Sequence, residues 1–106
     1  RPEFSLVHAA AVNGHRHILE YLQGKVPEDV FCGTDAGGNN ALHVVMKHAC
    51  DFEAAMFLLD KGCDGFAFNE ERMSPFSLAI ENLPELAKEL LSRKSRVENK
   101  WMGRDV

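Results

Sequence analysis

The side chains that could do chemistry fall into a few short runs. His15-x-His17 and His43-x4-His48-x-Cys50 carry metal-ligand residue types. A structural zinc site needs four ligands converging tetrahedrally, usually from closely spaced pairs, and neither run supplies that set. Ser5, Ser74, Ser77 and Ser92 have no histidine-and-acid pattern around them and no nucleophile elbow. Glu70-Glu71, Glu81 and Glu85 offer carboxylates, and Glu85 suits the positive end of a helix. Asp35-Ala36-Gly37-Gly38-Asn39 is glycine-rich but lacks the Lys-Ser/Thr that completes a phosphate loop. These residues therefore point to no enzyme, no metal, no cofactor and no small-molecule substrate. His8 and His43 stand a repeat apart on different helices and read as structural.

Composition narrows the class further. A chain of 106 residues suits one small domain, with 45% hydrophobic and 26% charged residues in the ordinary range for a folded protein. A net charge of −4 argues against binding to nucleic acid, which takes a basic face. No apolar run approaches the roughly 20 residues of a membrane helix, so membrane insertion is not expected. Three cysteines, Cys32, Cys50 and Cys63, make a poor disulfide framework. They read as free thiols, at least two partly buried, in a reducing compartment, the cytoplasm or nucleus. The chain opens at Arg1-Pro2-Glu3-Phe4 rather than at Met and reads as a piece of a longer protein.

The elements that position these residues recur. Ser5-Leu6-Val7-His8-Ala9-Ala10-Ala11, Asn40-Ala41-Leu42-His43-Val44-Val45-Met46 and Ser74-Pro75-Phe76-Ser77-Leu78-Ala79-Ile80 align at offsets of 35 and 34 residues. Each opens on a helix-capping type, and Pro75 fits the first helical position. First helices are expected over about 6–13, 41–49 and 75–82. Breaks follow at Asn13-Gly14, Ala49-Cys50-Asp51 and Asn82-Leu83-Pro84. Second helices are expected over about 16–23, 53–61 and 85–92, with Ile18, Leu19 and Leu22 or Met56, Leu58 and Leu59 at helical spacing. Asp35–Asn39 and Asn69-Glu70-Glu71-Arg72-Met73 read as turn tips, and Gly62 as a left-handed helix stop. Helices this short are marginal alone and need neighbours on both faces.

In these residues the chain resembles the ankyrin-repeat family. Its Leu-His-x-Ala-Ala pattern is echoed by Val7-His8-Ala9-Ala10-Ala11 and Leu42-His43, its Gly-His by Gly14-His15, and its Gly-Ala-Asp by Gly62-Cys63-Asp64. The resemblance covers about 4–92, divided near 4–39, 40–73 and 74–92. It implies an all-α solenoid of stacked antiparallel helix pairs joined by fingers. The copies diverge. Only the third keeps the proline, with Ser77 in place of His. The second carries one extra residue near Asp51-Phe52, and the third lacks one near Leu83-Pro84. Residues 24–33 match poorly and are expected to form an irregular finger. Residues 93–106 read as a capping helix or flexible tail, with Trp101 and Met102 either packed on Leu86 and Leu90 or exposed.

The resemblance implies a non-catalytic protein–protein interaction module, a scaffold or adaptor in an intracellular protein. Its partner would be another protein or an adjoining domain. Carried over position by position, the binding tips are Ala36, Gly37, Asn39, Glu70, Glu71 and Met73. The contributing ends of the first helices are Val12, Asn13, Lys47, His48, Glu81 and Asn82. The alternative is a regulatory or targeting segment that docks on an enzyme or channel domain of the same protein. His8 and His43 would bond backbone and hydroxyl groups between neighbouring repeats.

Overall fold

Three helix pairs follow one another along the chain. The computed structural model describes residues 2–101, and the side chains of residues 6–94. The first pair is α1 (Pro2–Val12) and α2 (Arg16–Gln23), followed by one further turn, α3 (Glu28–Phe31). The second is α4 (Ala41–Val44), continued by a π-helical turn over Val45–Ala49, and α5 (Phe52–Asp60). The third is α6 (Pro75–Asn82) and α7 (Pro84–Trp101). The chain is thus an all-α stack of helix pairs, as its repeats imply.

Side-chain caps start the first helices of the second and third pairs. Asn40 Oδ1 accepts the N–H of His43 at 3.0 Å, and His43 Nδ1 accepts the N–H of Asn40 at 3.1 Å. Ser74 and Ser77 make the same reciprocal box at 3.1 and 2.8 Å, with Pro75 at the first helical position. Ser5 does not repeat this. α1 already begins at Pro2, so Ser5 lies inside the helix rather than at its start. Pro2 and Glu3 are themselves good starters, a proline of preset φ followed by a carboxylate in the first turn. Asp51 caps α5, accepting the N–H of Ala54 at 2.8 Å.

Small residues let the layers close. Val7 and Ala11 from α1, Leu19 from α2, Ala41, Leu42, Val45 and Met46 from the second pair's first helix, Ala54, Ala55 and Leu58 from α5, and Ala79 and Leu86 from the third pair are all fully buried. Packing of this kind, rather than helix propensity, stabilises eight- or nine-residue helices.

Three differences from the sequence reading have physical causes. The extra residue of the second repeat is absorbed before Asp51, as the π turn, where Cys50 N–H reaches back to the Val45 carbonyl at 2.7 Å. Residues 24–33 are not wholly irregular, because Pro27 starts α3 and drives Phe31 into the core. The last helix passes residue 92 and runs to Trp101. Two i,i+4 and cross-helix bonds hold its first half, Arg93 to Glu89 at 2.7 Å and Arg93 to Asp60 of α5 at 2.8 Å. The expected packing of Trp101 and Met102 lies outside the described side chains.

Among the described residues, two positions use left-handed backbone without glycine. The turn after α1 places Gly14 at φ +67°, and a Cβ there would meet Ala49 Cβ at 2.9 Å. The equivalent turn after the second repeat's first helix puts Cys50 at φ +50°. Likewise Gly38 at the first finger has φ +81°, and Arg72, 34 residues on, has φ +63°. Side chains resist this region, glycine does not. Arg72→Gly is therefore expected to raise stability by about 0.5–1 kcal/mol, read as a higher urea midpoint at unchanged slope.

Among the described residues no helix is long and apolar enough to cross a membrane.

Candidate binding surface

Each finger is closed by one side chain. At the first tip, Asp35 N–H donates to the Asn39 carbonyl at 2.9 Å and Gly38 N–H to the Asp35 carbonyl at 3.1 Å. Asp35 Oδ1 accepts the N–H groups of Gly37 and Asn39, both at 2.9 Å. Burial raises the Asp35 carboxyl, but those two backbone bonds outweigh it and hold the group below its ordinary 3.8. The second tip repeats the pattern. Asn69 N–H donates to the Met73 carbonyl at 2.9 Å, Arg72 N–H to the Asn69 carbonyl at 3.0 Å, and Asn69 Oδ1 accepts from Glu71 and Met73, both at 2.9 Å.

The tips are also bonded to each other. Glu70 N–H donates to the Gly37 carbonyl at 2.9 Å, and Asn69 Nδ2 to Asn39 Oδ1 at 2.8 Å. This explains why an amide serves at position 69 where the first finger has the carboxylate of Asp35. The first tip needs only an acceptor, whereas Asn69 must also donate sideways.

Histidines fasten each finger to the preceding helix pair. His8 Nε2 lies 2.8 Å from the Asn39 carbonyl, and His43 Nε2 lies 3.0 Å from the Met73 carbonyl. His43 is fully buried. Its Nδ1 accepts from Asn40, so the proton sits on Nε2 and the ring is neutral. Burial pushes its imidazole below the ordinary 6.5. The third repeat has Ser77 at this position, and its hydroxyl closes on Ser74 instead, donating to that residue's carbonyl at 2.9 Å.

Against this frame the residues expected at the interface separate into two groups. Ala36, Glu70 and Glu71 at the tips are exposed, and Gly37 is half-exposed beside them. Val12, Asn13, Lys47, His48, Glu81 and Asn82 at the helix ends are exposed as well. Contacts connect them. Lys47 Nζ reaches Glu71 at 3.3 Å, joining the second repeat's first helix to the second tip, and Asn82 Nδ2 donates to the Met46 carbonyl at 3.0 Å. Asn39 and Met73 face inward. The Asn39 side chain is held by Asn69, and Met73 packs half-buried against the core.

Sequence reasoning passed over Phe68. It precedes the second tip and is 71% exposed, the most exposed of the described large hydrophobic residues. Its equivalent in the first finger, 34 residues earlier, is the exposed Thr34. An aromatic residue on a finger where the neighbouring repeat has a small polar one was the available signal.

Among the described residues no group of three or more His, Cys, Asp or Glu could hold a metal ion. The arrangement presents fixed backbone with outward side chains.

Stacked helix pairs with bonded fingers define a helical-repeat solenoid. The family model for ankyrin repeats (3 copies) matches residues 6–100, and the chain belongs to the ankyrin-repeat family. Repeats of this family are in general protein–protein interaction modules. Among curated proteins, none matches the chain significantly.

Proposed function

We propose that the chain is a non-catalytic binding module, a scaffold or adaptor unit of an intracellular protein, that holds a protein partner on its finger tips and first-helix ends. The observation that carries this reading is the bonding of the two tips to each other and to the helices. Most backbone N–H groups there are bonded, so a partner would meet a surface already ordered. Pre-ordering of this kind lowers the entropic penalty of association. The binding strip is Ala36, Gly37, Glu70 and Glu71 with Val12, Asn13, Lys47, His48, Glu81 and Asn82. Asn39 and Met73 support it from behind. Phe68 is the anchor, since exposed aromatic residues dominate interface energetics.

Photo-reactive side chains introduced singly at Ala36, His48 and Glu70 test this in extracts of the source cells. The same protein should be captured from all three positions and not from Glu20 or Lys88, both exposed on second helices. Capture from Glu20 and Lys88 alone would move the interface to the opposite face.

A further inference from the structure

The sequence gives no reason to pair any of the three cysteines, yet two of them meet. Cys32 follows α3 of the first repeat, and Cys63 follows α5 of the second. Their sulfurs lie 2.6 Å apart with both thiols free. Two thiols that merely pack as small hydrophobes keep ordinary van der Waals separation. These are closer, approaching the roughly 2.0 Å of a covalent S–S bond. The backbone around each is already fixed. Cys32 N–H donates to the Glu28 carbonyl at 3.0 Å, and Cys63 N–H to the Leu58 carbonyl at 3.1 Å, with Gly62 at φ +98° turning the chain between α5 and Cys63. Cys50 is elsewhere, its sulfur 3.4 Å from the Met46 carbonyl.

We propose that Cys32 and Cys63 are a redox modification site, which a peroxide converts to a reversible disulfide stapling the first repeat to the second. The two sulfurs have unequal roles. Cys32 is half-exposed and reachable by a small oxidant, while Cys63 is buried. The bond from Cys63 favours the Cys32 thiolate and holds that thiol below its ordinary range, against the opposing effects of burial and of Glu28. The same contact and burial push Cys63 up.

In the first step the Cys32 thiolate attacks one peroxide oxygen. The O–O bond breaks, Cys32 becomes a sulfenic acid, and hydroxide leaves and takes a proton to become water. In the second step the Cys63 sulfur attacks Cys32 sulfur. The S–S bond forms, the S–O bond breaks, and a second hydroxide leaves and takes up the proton Cys63 loses. Two thiols have lost two electrons and two protons, and one peroxide has become two waters. The staple lies at the root of the first finger, directly before Gly33, so oxidation would stiffen the finger that carries Ala36 and Gly37.

The test uses the full chain, reduced and then exposed to equimolar hydrogen peroxide. Unfolding in an alkylating reagent and mass spectrometry count the remaining thiols. The expected product is a monomer lighter by two hydrogens with a single alkylated cysteine, Cys50, and a peptide linking Cys32 to Cys63. Its Tm should rise by about 10 °C and return on adding dithiothreitol. C50S should give the same cross-link with no alkylated cysteine, and C63S should instead accumulate modified Cys32. Three alkylated cysteines after treatment, a linkage through Cys50, or over-oxidation of Cys32 in the unmutated chain would each overturn the proposal.

Discussion

His43→Ala is expected to lower the unfolding free energy by about 3 kcal/mol and Tm by about 15 °C, one of the two largest losses from any single side chain outside the apolar core. The residue is fully buried and makes both a donor bond to the Met73 carbonyl and an acceptor bond from Asn40 N–H. Truncation leaves that N–H and that carbonyl without their partner and opens a cavity, and these effects add. Against a total stability of roughly 5–15 kcal/mol for a chain this size, such a loss is large. Thermal and urea unfolding measure it directly.

The same residue sets a pH dependence. Its folded pKa lies below the ordinary 6.5 because burial disfavours the charged ring, with Lys47 acting in the same direction. The unfolded chain therefore binds a proton that the native state refuses. The His43 contribution is fully present above about 6.5 and is lost as pH falls through that value toward the folded pKa. Asp35 acts in a separate window. Its folded pKa lies below 3.8, so its contribution is present above that value and lost only at lower pH. Unfolding midpoints at pH 7.5 and 5.5 should thus differ more for the unmutated chain than for His43→Ala. Equal differences would remove His43 from the account.

Asn69→Ala is expected to cost about 2–3 kcal/mol, and Asn69→Asp about 1–2 kcal/mol. Asn69 is buried, its oxygen accepts two backbone bonds within the tip, and its Nδ2 makes the bond to Asn39 of the other finger. Alanine loses all three. Aspartate keeps the acceptor, as Asp35 shows in the first finger, but loses the donor and sets a carboxylate against the Asn39 oxygen. Asn69→Asp by itself isolates the side-chain bond between fingers, and the further loss in Asn69→Ala measures the two bonds within the tip. Amide exchange should quicken at Gly37 and Glu71 in Asn69→Asp, while the helix cores stay protected. Full protection of both tips in Asn69→Asp would show that the Asn69–Asn39 bond does not couple the fingers.

The helix pairs were legible because short-range rules agree with one another there. Asn40 and Ser74 cap, Pro75 starts, Gly14 and Gly62 stop, and the apolar residues between them keep helical spacing. Ser5 misled because an N-cap residue is recognised by type, while the helix actually started from the proline and glutamate ahead of it. The π turn was legible as one residue too many but not as a place, since a ladder can absorb an insertion wherever a left-handed exit is available, here Cys50. The inward turn of Asn39 and Met73, the sideways bond of Asn69 and the Cys32–Cys63 contact all join residues about 30 apart. Local pattern carries no information on such pairs until the repeats are stacked. Phe68 escaped for the opposite reason, because aromatic residues default to the core and its 71% exposure is a property of the folded finger.

The decisive measurement is a titration. The protein captured by cross-linking is purified and bound to the unmutated chain and to a variant carrying Ala36→Arg, His48→Glu, Glu70→Arg and Phe68→Ser. These exposed positions bear on the surface and not on the buried ladder. The variant should keep its Tm and bind at least about tenfold more weakly, since each lost anchor contact is worth roughly a kcal/mol or more. Equal affinity at equal Tm would contradict recognition through the finger tips.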